Sequence, residues 1–275
     1  MIEQVDFCGK SISRLIVGGN TVSGTSHVSS QLDGEMENYF TSQNIKKMLS
    51  SCMKHGINTM QLRGDKHIMR LIREFRLEGG DMGWIAQSVP EAGSFDVNVS
   101  QMAGYNPVLM YHHGCVTDDL FKAGEYEELK RRLSVIRKTG VPVGLCTHMP
   151  EVVEYAETHH WELDFYMCCV YNISVPERQE ASRITGNEDP VFVETDIPIM
   201  YKTIGAAQKP CLAFKILGAA RRCGTQEQVQ SAFNEAYSSI KPGDAVIVGM
   251  YPKNLDQVSL NAEYAEAAIK KAAAK

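Results

Sequence analysis

Short apolar runs alternate along the chain with longer stretches whose apolar residues recur every three or four positions. Eight of the short runs read as strands: 14–20 (RLIVGGN), 57–62 (INTMQL), 83–89 (GWIAQSV), 107–113 (PVLMYHH), 141–148 (VPVGLCTH), 163–171 (LDFYMCCVY), 210–217 (PCLAFKIL) and 244–250 (DAVIVGM). They are rich in β-branched, aromatic and aliphatic residues and lack strict alternation with polar ones. That is the pattern of strands buried on both faces of a parallel sheet. Between them, 41–56 carries a polar cap residue and a closing glycine. Residues 126–140 set Leu129, Leu133 and Ile136 at helical spacing and leave Lys130, Arg131 and Arg132 for a solvated face. Pro150 stands where a helix takes proline at its first position, and Thr225 with Gln228 fits a capping box. A last helix is expected over 255–272, with an alanine- and lysine-rich tail.

Strand-then-helix repetition with no break in composition predicts one domain over residues 1–275, a (β/α)8 TIM barrel. The opening VDFCGKSISR reads as a short hairpin closing the bottom. Two long connections, 20–40 and 172–190, follow the first and sixth strands. Both are therefore expected over the C-terminal face, where barrel enzymes carry their sites.

Composition narrows the partners more than the fold. Hydrophobic residues are 44% and charged residues 22% of 275, an ordinary globular balance. Net charge is 28 − 33 = −5, so no basic surplus exists to neutralise nucleic-acid phosphates. No run approaches the roughly 18 apolar residues of a membrane helix. The start, MIEQVDFCGK, shows neither a basic nor an apolar leader segment. The eight cysteines include no CxxC pair and read as reduced, mostly buried thiols. The expectation is a cytoplasmic protein with a small-molecule substrate, no nucleic acid and no membrane.

Candidate chemistry gathers at the strand ends. The second strand ends in Gln61, Arg63 and Asp65, the third in Gln87 and Ser88, the fourth in His112 and His113. The fifth ends in Cys146, Thr147 and His148, the sixth in Cys168, Cys169, Tyr171 and Asn172. Neighbours on a strand point to opposite sides, so only one of His112 and His113 can face a pocket. The other is expected to be a hydrogen-bonded core histidine. Lys215 interrupts an otherwise apolar strand. It points into a pocket, to bind an anion, act as a base or form a Schiff base, or it pairs with a buried carboxylate. Arg63 is structural if paired with Asp65, and orients a carboxylate, phosphate or sugar hydroxyl if free. His113, His148, Cys146 and Cys168 would suit a divalent metal such as zinc if they converged, but no ligand motif of fixed spacing supports it, and none is assigned.

SISRLIVGGN, GINTMQLRG, VLMYHHG, GLCTHMPEVVEYAE, DFYMCCVYN, CLAFKILG and VIVGMYPKNLDQVSLNAEYA follow one another as the motifs of the aldo/keto reductase superfamily do. The chain resembles a divergent member over most of its length. That resemblance implies a TIM-barrel enzyme and makes NAD(P) the cofactor to test. It also implies a tetrad of aspartate, tyrosine, lysine and histidine. Here Gln61 stands for the aspartate, the tyrosine's position falls near Lys66, and Ser88 stands for the lysine. Only the histidine remains, as His113 or His112. If NAD(P) binds, the resemblance implies stacking on Phe214, carboxamide contacts from Cys146 and Thr147, and nucleotide contacts from Lys253 and Asn261. The nucleotide-reading arginine and glutamate correspond to Gln257 and Leu260.

With three of four tetrad positions replaced, acid–base lyase or isomerase chemistry is expected on a small polar carbonyl or sugar-derived, anionic substrate. His113, Lys215, His148 and Arg63 would be catalytic, and Gln61, Gln87, His112, Tyr171 and Asn172 would bind substrate. The alternatives are an NAD(P)H-dependent reductase with an altered proton donor, and a non-catalytic binding protein on the same fold.

Overall fold

A computed structural model describes residues 1–175 and 191–274. The chain opens with an antiparallel hairpin, β1 (Gln4–Phe7) and β2 (Lys10–Ser13), turned through Cys8 and Gly9, both at positive φ. Eight parallel strands follow: β3 (Leu15–Gly18), β4 (Thr59–Arg63), β5 (Gly83–Gln87), β6 (Leu109–His112), β7 (Val143–Thr147), β8 (Phe165–Cys169), β9 (Cys211–Phe214) and β10 (Ala245–Gly249). They pair in chain order, and β10 returns to β3, closing the barrel. The expected TIM barrel and its hairpin are both present.

Alternate residues of each strand fill the interior. Ile16, Ile85, Leu109, Tyr111, Phe165, Met167, Leu212 and Ile247 form one inner cluster. Phe7 and Ile12 of the hairpin join it, with the Phe7 ring edge-on to Phe165 at 5.6 Å. The hairpin is thus an apolar plug for the N-terminal end. Gly144 lies opposite Phe165 in the β7–β8 register, and a Cβ there would collide with the Phe165 ring. Residues of the other parity, such as Val17, Met60, Trp84 and Leu145, pack outward against the helices.

The helices include α1 (Ser30–Tyr39), α2 (Ser42–Lys54), α3 (Lys66–Leu77), α4 (Phe95–Ala103), α5 (Gly114–Lys122), α6 (Tyr126–Arg137), α7 (Pro150–Thr158), α8 (Asp196–Ala206), α9 (Gln226–Ser239) and α10 (Gln257–Ala273). Their local signals match the sequence reading. Thr41 caps α2 by accepting from the Asn44 N–H, and Gly56 follows it at φ +82°. Leu129, Leu133 and Ile136 are the buried face of α6, while Lys130, Arg131 and Arg132 pair with Glu127, Glu128 and Asp96 at its surface. Pro150 opens α7, and Thr225 with Gln228 forms a reciprocal capping box, a device worth about 1 kcal/mol. Among the described residues, no helix is long and apolar enough to cross a membrane.

Two expectations need correction. Residues 20–40 are not a continuous loop, because 30–39 form α1, capped by Ser29 and anchored by buried Met36. A run of polar residues hid its weak apolar face. The strands are also shorter than their apolar runs: β8 ends at Cys169, so Tyr171 and Asn172 lie beyond it. Of the connection 172–190, residues 176–190 lie outside the described residues.

Candidate active site at the barrel mouth

The strand ends open into a cavity of about 540 Å³. Its inner part is lined by Gln61, Arg63, Gln87, Tyr111, Cys146 and Met167, with His113, Cys115, His148, Phe214 and Lys215 just beyond the strands. The cavity continues between β10, α9 and α10, past Gly249, Leu217, Gln226, Gln257 and Asn261. The loop after β3 forms a further wall through Thr25, Ser26, His27 and Val28. Gly19 permits that loop to leave the barrel, since a Cβ there would stand 2.9 Å from the Gln61 carbonyl oxygen.

A hydrogen-bonded dyad stands in the cavity wall. His148 follows β7 and is 4% exposed; Asp118 lies on α5 and is fully buried. His148 Nδ1 sits 2.7 Å from Asp118 Oδ2. The carboxylate also accepts from the Thr147 hydroxyl at 2.5 Å, the Ser174 hydroxyl at 2.5 Å and the His148 N–H at 3.2 Å. Four donors leave Asp118 no freedom to turn, so Nδ1 is fixed and Nε2 is the ring nitrogen left for the cavity. Gly114, the first residue of α5, makes the approach possible. A Cβ there would lie 2.9 Å from Cys146 Sγ and 3.1 Å from His148 Cε1. The sequence reading missed Asp118 because it stands mid-helix, thirty residues before its partner. An acidic residue spaced to face inward on an otherwise ordinary helix was the available signal.

His113 is the cavity-facing histidine of its pair. Its backbone N–H donates to Ser88 Oγ at 3.0 Å, and its buried Nδ1 has no hydrogen-bond partner. Burial, with His148, Arg63 and Lys215 nearby, pushes its pKa down to about 4, so the ring is neutral at neutral pH. His112 points the other way. It is 1% exposed, bonds Thr117 Oγ1 through Nδ1 at 2.8 Å and packs on the Phe95 ring, so it does not reach the cavity as expected of a substrate ligand.

Lys215 follows β9 in the left-handed region, at φ +62°, and its carbonyl accepts from the Gly218 N–H at 2.8 Å in a tight turn. A non-glycine residue there costs about 1–2 kcal/mol. Among the described residues Lys215 has no carboxylate partner. Its Nζ lies 5.2 Å from the Phe192 ring centroid, and burial lowers its pKa. Arg63, by contrast, is not free: it pairs with Asp65 at 3.5 Å and with Glu91. It still lines the cavity, with much of its charge balanced.

Tyr111 is a second residue the sequence reading passed over. It is fully buried at the cavity floor, and Gln61 Nε2 donates to its hydroxyl at 2.7 Å. Burial raises its pKa well above the usual phenol value, so it stays protonated. With its lone pair engaged by Gln61, the phenol proton is left to donate to a ligand.

Several expected site residues lie elsewhere. Tyr171 is buried behind the turn at Gly218 and stacks edge-on to Phe192, and the Asn172 N–H donates to Asp196. Thr147 turns away from the cavity to Asp118. Lys253 sits near Glu35 at 3.8 Å, outside the cavity lining. Cys168 packs in the outer layer beside Cys211, whereas Cys115 and Cys223 are exposed and line the cavity. Among the described residues, no three of His, Cys, Asp and Glu are grouped to hold a metal.

Fold and mouth together define a (β/α)8-barrel protein with a largely apolar cavity at the C-terminal ends of its strands, into which Arg63, His113, His148 and Lys215 bring polar groups. No protein family matches the chain, and no curated protein matches it in sequence. Solved structures do. A truncated 3-deoxy-D-arabino-heptulosonate 7-phosphate synthase from Thermotoga maritima superposes with a TM-score of 0.59 at 15% identity, covering 99% of this chain and 93% of its own. An aldo-keto reductase from Bacillus halodurans, in its holo form, gives 0.59 at 11% identity, with 99% and 96% covered. The Yersinia pestis dihydropteroate synthase in a sulfonamide drug complex gives 0.56 at 10%, with 99% and 100% covered. Three different barrels at nearly equal similarity establish the fold and do not single out the reductases.

Proposed function

We propose that the protein is an enzyme of the lyase or isomerase type, acting on a small polar carbonyl or sugar-derived, anionic compound by proton transfer next to the carbonyl. The observation that carries this is the His148–Asp118 dyad set in the wall of a cavity shared with Lys215. His148, its tautomer fixed by Asp118, takes the proton α to the carbonyl through Nε2. The Tyr111 phenol proton meets the oxygen that gains charge as the enolate forms, and Lys215 stands in the same cavity. Arg63 and Gln87 orient the rest of the substrate. Return of the proton at another carbon is isomerisation; loss of a group β to the carbonyl is elimination.

The reductase alternative was tested against the residues present. Phe214, Cys146 and Asn261 line the cavity as a nicotinamide nucleotide would need. Thr147 does not, because its hydroxyl is spent on Asp118, and Lys253 faces Glu35. One residue at each end of the nucleotide, Thr147 and Lys253, does not fit the group, and no step is derived through it.

The test is incubation in D2O with a panel of keto acids and sugar phosphates, read by NMR at the carbon next to the carbonyl. Deuterium should enter with wild type and not with a folded His148→Ala protein. No incorporation by wild type with any of the compounds overturns the reading.

A further inference from the structure

We propose that Lys215 is a covalent catalyst, forming an imine with an aldehyde or ketone substrate in the barrel cavity. This deepens the acid–base reading above and rests on it for the proton transfers.

Four observations converge on the amine. Lys215 lines the cavity and, among the described residues, has no carboxylate to hold a proton on it. The groups whose negative charge would act most on Lys215 are thiols, and these are protonated: burial pushes Cys169 up to about 12 and Cys146 well above its usual value. Burial in turn favours the uncharged amine, the form that attacks a carbonyl. The backbone at Lys215 is held in the left-handed region at φ +62°. Strain of this kind persists where the surrounding structure enforces it, and it clusters at functional sites. A lysine serving only as a positive patch needs no such placement, since its long stem reaches a cavity from ordinary strand geometry.

The partners the chemistry needs share the cavity. Nζ attacks the carbonyl carbon, the carbonyl π pair moves to oxygen and one N–H proton passes to that oxygen, giving a carbinolamine. The Tyr111 phenol supplies the second proton, with which that oxygen leaves as water. The balance is amine plus carbonyl giving imine plus water, with no oxidation or reduction. The protonated imine then draws electrons from the adjacent carbon while His148 Nε2 takes its proton, or His148 takes the proton of a hydroxyl on the β carbon, so that the bond between the α and β carbons breaks and the β carbon leaves as a carbonyl. The imidazolium then returns its proton to the enamine carbon. Water re-enters to release the product and the amine.

The experiment treats the whole protein with pyruvate, dihydroxyacetone or glycolaldehyde, then sodium borohydride, and reads intact mass and peptide masses. One reduced adduct per chain is expected on Lys215 with at least one compound, and none at that peptide in Lys215→Arg, which keeps the charge but cannot form the imine. Circular dichroism and thermal melting confirm that the variant folds. Deuterium exchange into the same compounds is measured in parallel and should fall about 100-fold or more in Lys215→Arg. A Lys215 adduct supports the proposal even if exchange is absent, and then only the acid–base reading fails. Exchange that survives in Lys215→Arg, with no adduct, overturns the imine and leaves the acid–base reading standing. Neither adduct nor exchange with any of the three overturns both.

Discussion

His148 Nδ1 lies 2.7 Å from Oδ2 of Asp118, a carboxylate with no exposed surface that accepts three further hydrogen bonds. Asp118→Asn keeps the shape and turns two acceptor sites into donors facing donors. Activity should fall about 10²–10⁴-fold as His148 loses its fixed tautomer. Stability should fall by about 1–3 kcal/mol, the cost of a buried group left unsatisfied. Steady-state kinetics and denaturant melts on one preparation separate the two effects.

The adjacent histidines should behave oppositely. His113→Ala removes a cavity side chain with an unpaired Nδ1, so catalysis should suffer more than stability. His112→Ala opens a hole between β6 and its helices and leaves Thr117 Oγ1 only its bond to the His113 carbonyl, so stability should drop by about 2–3 kcal/mol while kcat of the folded fraction holds. Equal kinetic damage from both would contradict the inward–outward assignment.

Acid should destabilise the fold before carboxylates titrate. Burial, the first cause in each case, holds His112 and His27 down to about 3 and His113 to about 4, against an ordinary value of 6.5. Between those limits the unfolded chain binds more protons than the folded one, so stability falls as pH drops from about 6.5 toward 4. Each such histidine contributes on the order of 1.4 kcal/mol per pH unit crossed at most, less for those partly exposed. Urea midpoints measured at stepped pH check this, and a flat profile from 7 to 4 would refute it.

Titration with NADPH and NADH is expected to leave nicotinamide fluorescence unchanged at micromolar concentrations. Thr147 and Lys253 are turned to protein carboxylates, one buried and one at the surface. Saturable micromolar binding would restore the reductase reading.

Gly144→Ala should cost about 1–3 kcal/mol, because the new methyl meets the Phe165 ring inside a filled barrel. A second change, Phe165→Leu, should recover part of the loss in a double-mutant cycle.

Much of the architecture was legible along the chain. The apolar runs marked every barrel strand, and Thr41, Pro150 and Thr225 marked where helices begin. These are local signals, set by backbone sterics and by the capping of unpaired N–H groups. Lys215 stood out because an apolar strand has no other use for an ammonium group. The resemblance to aldo/keto reductases pointed to the right barrel, and the mixed set of structural neighbours carries it no further than that.

The phase of the pattern was not legible. Alternation says that one of His112 and His113, or of Cys146 and Thr147, faces inward. Which one follows from how the closed barrel sets its register, and that choice put His113 and Cys146 at the cavity and turned His112 and Thr147 away. The partner of Asp118 was hidden for a related reason: its contact with His148 exists only because Gly114 lets α5 close on β7. By itself the sequence determined the elements, their order and the residues able to do chemistry, since propensity and periodicity act over a few neighbours. The tertiary structure alone decided which of those residues meet, because convergence at the mouth depends on barrel closure and helix packing between segments distant in the chain.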